Sequence, residues 1–270
     1  MYSLALVSPY LRLIAAEFRR QSTYRLALAA GIFTNGIFGL IRAGVLLGAV
    51  AGAGGSVGGY DARSALLYVL WGQALLGAIP MWGWNDIADR VRTGEIAVDL
   101  ARPMDLQTYW WFRDIGRAAM QFLGRGLPIL VLGSIVLRVP PPSDPLVHLA
   151  GIIGLLLGLG VNYLCRYAMN LISFWTLEVQ GYQILYMVGV SLLSGFYVPI
   201  HLFPDWLMVV AEASPFPAMY QYPVDLLSGH TVGPEVWGVL GVQLVWIAVL
   251  LVFTRLLTRA GTRRLEVQGG

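Results

Sequence analysis

The 270-residue sequence contains no lysine: all 18 of its basic side chains are arginines. A Walker-type phosphate loop needs a lysine behind its glycines to reach the β- and γ-phosphates, so the chain does not bind nucleotide by that route. A single cysteine, Cys165, excludes an internal disulfide and a cysteine metal cluster. No two of the three histidines, His148, His201 and His230, stand one helical turn apart, so local spacing builds no metal site and none is expected. Charge is scarce too. Charged residues make up 12% of the chain and apolar ones 57%, whereas an ordinary soluble domain carries about 25% charge. That leaves too little polar surface to coat a globule in water, and a mean hydropathy of +0.67 places the chain in a bilayer. The net charge of +3 is small and its arginines are scattered, which gives no footprint for nucleic acid. Met1 to Tyr10 shows neither the basic start nor the small-residue cleavage site of a signal peptide, so the first span is expected to stay in place.

What is present is a series of long apolar runs. Crossing about 30 Å of hydrocarbon takes about 20 mostly apolar residues in a helix, and six stretches qualify: Leu26 to Val50, Ser64 to Trp84, Trp110 to Leu137, Leu146 to Phe174, Gly181 to Ile200 and Val236 to Thr254. The third is interrupted by Arg117 and Arg125. With both termini in the cytoplasm, 13 arginines fall on the inner side, only Arg63 and Arg138 fall outside, and Arg42, Arg117 and Arg125 lie within spans. The positive-inside rule therefore fixes that orientation. The expected fold is an all-α polytopic membrane protein divided into an entry helix (1–25), a six-span domain (26–258) and a cytoplasmic tail (259–270). In the entry segment Leu11, Ile14, Ala15 and Phe18 recur at i, i+3, i+4 and i+7, with Arg12, Glu17, Arg19 and Arg20 elsewhere on the wheel, the pattern of a basic amphipathic helix on the inner surface. Between the fifth and sixth spans, the Pro-rich stretch His201 to Glu235 holds two apolar pieces, Trp206 to Ala213 and Ala218 to Leu227. Both are too short to cross, so they are read as interfacial or re-entrant helices.

Polar residues inside the spans are few. Asn35, Arg42, Arg125, Asn162, Arg166 and Asn170, with Thr34, are candidates for a substrate pathway, and each is equally suited to bonding a neighbouring helix. Arg113, Arg117, Gln121 and Arg125 form one stripe at i, i+4, i+8 and i+12, the first two placed to snorkel toward headgroups. "GIIGLLLGLG", Gly151 to Gly160, and the pair Gly44 and Gly48 are small-residue faces that let helices approach closely. Two enzymatic or carrier chemistries find weak footholds. Asp86, Asp89 and Asp99 are the candidate metal ligands of a membrane-embedded phosphoalcohol transferase, but Arg90 follows Asp89 where that motif wants glycine. A proton-coupled secondary carrier would want a mid-span acid, and Glu178 sits only near the inner end of the fourth span.

The amphipathic entry helix, six spans, a charged cytoplasmic stretch after the second span and a Pro-rich double helix before the sixth resemble the permease subunits of type-2 ATP-binding-cassette (ABC) exporters. "TGEIAVDLARPMD", Thr93 to Asp105, and "LLSGFYVPIHLFPDWL…SPFPAMYQYPVDLLSG", Leu192 to Gly229, are similar to an uncharacterised bacterial permease group within that superfamily. The resemblance implies a non-enzymatic permease of the bacterial cytoplasmic membrane. It would pair with a second copy or a related permease and be powered by separate ATPase subunits. ATP and Mg2+ would sit on those partners, with no cofactor bound by this chain. It further implies that Gly94 to Pro103 includes or adjoins the element coupling the permease to its ATPase. Read as a helix, Glu95, Asp99 and Arg102 share one edge beside a strip of Ile96 and Leu100; Gly94 permits a break before it and Pro103 ends it.

Overall fold

The computed structural model describes residues 2–81, 83–176 and 178–269, with side chains described between 9 and 265 of that set. Among them there is no strand beyond one bridge between Val57 and Tyr60. In chain order, α1 (Tyr2–Ser22) precedes α2 (Arg25–Gly52), α3 (Ala62–Leu75) and a short pair, α4 (Asp86–Thr93) and α5 (Ile96–Leu100). α6 (Leu106–Gln121) runs through a π-turn over Phe122–Gly126 into α7 (Leu127–Leu137). α8 (Pro145–Leu171) and α9 (Gln180–Leu193) follow, then α10 (Asp205–Glu212), α11 (Phe216–Met219), α12 (Gln221–Ser228) and the long α13 (Glu235–Gly269).

Local chemistry starts several of these helices. Asp61 and Ser64 form a reciprocal capping box before α3, Asp105 accepts the Thr108 amide before α6, and Asp144 does the same for Leu146 beside Pro145. Four helical stretches are long and apolar enough to cross a membrane: Arg25–Gly52, Leu106–Leu137, Pro145–Phe174 and Glu235–Leu265. The last carries the chain past Thr254 without a break, so the expected tail from residue 259 is the end of α13.

The second and fifth expected spans are different. α3 and α9 have 14 residues each, about 21 Å of helix at 1.5 Å per residue, short of the hydrocarbon thickness. Beyond Leu75 the chain turns toward Pro80, and the Arg117 guanidinium takes up the freed carbonyls of Gly77 (2.9 Å) and Ala78 (2.9 Å). Beyond Leu193 it bends at Gly195, whose φ is +83° and whose carbonyl accepts the Tyr68 hydroxyl at 2.6 Å. Apolar length therefore overstates helix length in both.

The core lies where α3, α8 and the α11–α12 pair meet, with Tyr68, Leu75, Tyr163, Tyr167, Tyr220 and Leu171 fully buried. α11 and α12 dip against α8 because Gly151, Gly154 and Gly158 line that side of it: a Cβ at these positions would come within 2.5, 2.3 and 2.6 Å of Leu227, Leu226 and Pro223. Gly44 and Gly48, expected to pack a neighbour in the same way, face open space in this chain.

α1 lies on α6, and its orientation corrects the helical wheel. Gly116 allows the approach, since a Cβ there would meet the Ile14 carbonyl oxygen at 2.3 Å, and Tyr10 stacks on Phe112. Glu17, expected on the solvated face, is buried, while Leu11 is exposed. The carboxylate of Glu17 is drawn inward by Arg113, which donates to it at 2.8 and 3.1 Å.

Candidate coupling element and its anchoring in the bundle

Gly94 ends α4 in the left-handed region (φ +78°), which turns α5 back on α4. Arg90 then reaches across: Nε and Nη2 donate to the Asp99 carboxylate, the latter at 3.1 Å, while Nη1 lies 3.2 Å from Glu95. Arg102 completes the shell 3.3 Å from Asp99 and lies over the Tyr109 ring. The expected docking edge is therefore divided. Asp99 and Ile96 are only 2% and 1% exposed and hold α5 in place, because a buried carboxylate needs its guanidinium partners on the inside. The surface is left to Glu95, Val98, Leu100 and Pro103, with Arg102 half-buried.

This pair is tied to the bundle through the connector from Pro80 to Ala88. One face of α8 supplies the ties at i, i+4 and i+8. Asn162 Nδ2 donates to the Pro80 carbonyl at 3.0 Å, Arg166 lies over the Trp84 ring, and Asn170 Nδ2 donates to the Trp84 carbonyl at 2.9 Å while its Oδ1 accepts the Ala88 amide at 3.1 Å. Arg166 also donates from Nε to Asn162 Oδ1 (2.8 Å) and from Nη2 to Asp114 Oδ2 (2.7 Å). Asp114 is shared with Arg117 at 2.7 Å, so a buried Arg–Asp–Arg group joins α8, α6 and the end of α3. Nearby, Asp105 pairs with Arg255 of α13. Burial pushes the Asp105 carboxyl up, but its bonds from Thr108 and Arg255 outweigh this and hold it below the usual carboxylate range.

The arginine stripe is likewise consumed by the protein, against the expectation that Arg113 and Arg117 reach headgroups. The π-turn adds a residue before Arg125, whose guanidinium lies against Gly31 and donates to Asn35 Oδ1. Asn35 Nδ2 donates to the Gln73 carbonyl at 3.1 Å, and the Gln73 amide, oriented to satisfy both neighbours, accepts from Arg42 at 3.1 Å. Thr34, by contrast, is exposed. Sequence reasoning missed Asp114 and Gln73. Asp114 stands beside Arg113 and three residues before Arg117, but nothing in that spacing points to Arg166 on another helix.

The three aspartates considered for phosphoalcohol transfer do not converge among the described residues; Asp89 pairs with Arg92 at 3.2 Å and Asp99 is enclosed as above. His148 bonds the Pro142 carbonyl, but His201 and His230, far apart in sequence, meet at Asp225.

The structure thus sets a short, ion-paired helical pair on the polar connector of a bundle of long apolar helices. Residues 41–269 match the family model described as ABC-2 family transporter protein. The chain belongs to that family. No protein of curated function matches it. As an ABC-2 transporter protein it is a multi-pass permease subunit that associates with ABC ATPase subunits and is not itself the ATPase. In this ABC-2 chain a cavity of about 490 Å³ opens beside the connector, lined by Trp84, Asn85, Arg166 and Asn170 on one side and Gln183 and Tyr186 of α9 on the other. Arg166 and Asn170 are thus both helix ties and cavity lining, whereas Asn35, Arg42 and Arg125 serve a separate network between α2, α3 and the π-turn.

Proposed function

We propose that this ABC-2 chain is one permease half of an exporter for a hydrophobic or amphipathic substrate, with α5 as its docking surface on an ATPase subunit. Both termini and the α4–α5 pair face the cytoplasm of a bacterial cell, which accords with the 13 to 2 division of arginines. The chain crosses six times, α3 and α9 completing their crossings through the non-helical segments at their ends. It works beside a second copy or a related permease. Closure of the ATPase subunits on ATP moves α5, and the α8 ties pass that motion from the connector into the bundle.

The observation that carries this reading is the outer surface of α5. Val98 is 61% exposed beside Glu95 on an element whose inner side is fixed by Asp99. An isolated solvated loop would not need such fixation. Val98→Asp with Leu100→Ser alters this surface and leaves Arg90, its partners Glu95 and Asp99, and Ile96 intact. At equal expression, co-purification of the cognate ATPase by the solubilised variant is expected to fall at least about tenfold, the effect of about 1.4 kcal/mol, and transport to be lost with it. Unchanged capture and transport would remove α5 from the contact.

A further inference from the structure

At the end of the bundle away from α4 and α5, three segments converge on one buried carboxylate. Asp225 of α12 is 2% exposed. Tyr60, in the loop before α3, donates its hydroxyl to Oδ1 at 2.6 Å, and Gln221 Nε2 donates to Oδ2 at 2.8 Å. Gln221 is itself oriented by the Ile200 amide, which donates to its Oε1 at 3.2 Å, and by the Tyr68 hydroxyl, 2.7 Å from the same oxygen, which shares its one proton between that Oε1 and the Gly195 carbonyl. His201 follows Ile200 in a 3-10 turn and brings Nε2 to 3.2 Å from Asp225 Oδ2. His230 arrives by another route: Gly229 takes φ +74°, and the His230 amide then donates to the Asp225 carbonyl at 2.9 Å. Its ring stacks on Tyr60 with centroids 4.0 Å apart, and among the described residues neither ring nitrogen is hydrogen-bonded. The loop around the two histidines is cut close. A Cβ at Gly58 would meet the His201 carbonyl oxygen at 2.7 Å, and one at Gly59 the His230 ring at 3.2 Å.

We propose that His201, Asp225 and His230 bind a divalent first-row transition-metal cation, with zinc the best-suited. One ligand atom from each already lies within 4.8 Å of the others. Zinc holds nitrogen and oxygen ligands at about 2.0–2.2 Å, which brings them about 3.3 Å apart. The remaining ångström or so is within reach of side-chain rotation, because His201 is a third exposed. Two imidazoles favour zinc, nickel or copper over calcium and magnesium, which prefer all-oxygen shells. Tyr60 and Gln221 orient the carboxylate from outside the ligand set, as second-layer partners of metal ligands do. A hydrogen bond between His201 and Asp225 accounts for two of the residues but leaves the ring nitrogens of His230 without a partner among the described residues. With three protein ligands, the fourth position is open to water. The bound ion would fasten the 3-10 turn, α12 and the loop beside Tyr60 to one another.

The test is direct metal loading of the full chain, purified in detergent through a histidine-free tag and stripped with chelator. After dialysis against stoichiometric zinc, elemental analysis is expected to give about one zinc per chain, together with a raised thermal midpoint. Cobalt in place of zinc is expected to give visible ligand-field bands. His201→Ala and His230→Ala each abolish the zinc loading, the raised midpoint and the cobalt bands, whereas His148→Ala retains all three. Zinc-free wild type with no cobalt bands would overturn the site without reference to any variant. Equal loading of wild type and the His201→Ala/His230→Ala double variant would overturn it as well.

Discussion

Glu17 shows how one residue can reverse the reading of an element. Its place on the wheel assigned it to water, yet it is bonded by Arg113, Arg20 and Gln21. The decisive partner lies on α6, and a helical wheel carries no information about it. Burial pushes the Glu17 carboxyl up, but those three donors prevail and its pKa is lowered. A lowered carboxylate stabilises the fold fully above its unfolded value, about 4.3, and the contribution is lost as pH falls through the folded value. The difference in thermal midpoint between wild type and Glu17→Gln should therefore be constant from pH 7 to about 5 and shrink in more acidic solution. A difference that holds constant into acid would show that Arg113 and Glu17 are not joined by charge.

Among elements, α8 was the most legible and α3 and α9 the least. The glycines of α8 and its polar residues at 162, 166 and 170 stand at helical spacing in the sequence, and all lie on working faces of the helix. Their targets were hidden because most are backbone carbonyls and an amide of the connector, which leave no mark in side-chain chemistry. α3 and α9 were overextended because hydropathy sums apolar residues whether or not they are helical. The Arg166–Asp114–Arg117 group gives this scale its prediction. Asp114→Leu leaves Arg166 buried without its carboxylate and should destabilise the solubilised protein by about 3–5 kcal/mol. Adding Arg166→Leu should recover part of that loss, since removing both members of a buried pair costs less than removing one. Denaturant unfolding in detergent reads both, and strictly additive penalties would refute the pairing.

For the whole molecule, composition and the apolar runs were enough to reach a helical membrane protein, while its family was reached only through the resemblance carried by Thr93 to Asp105, Leu192 to Gly229 and the layout of spans around them. The meeting of His201 and His230 at Asp225 was not legible, because it depends on α12 packing against α8. The orientation proposed above is tested by single-cysteine labelling in intact cells. Cys165 is 5% exposed, so wild type should give little background. Gly54→Cys should react with a membrane-impermeant maleimide added outside, and Glu95→Cys should react only after the membrane is opened. Labelling of position 95 from outside would invert the topology.

The π-turn at Phe122–Gly126 bears on helix register as well as on packing. A π-turn is an α-helix holding one residue more than its register requires. Taking that residue out would return the segment to regular helix while α6 and α7 kept their facing directions, and only the arginine carried on the turn would be re-aimed. Deleting one residue from the turn should therefore leave both halves of the long third helix folded, and the tie from Arg125 to Asn35 is what such a deletion would take away.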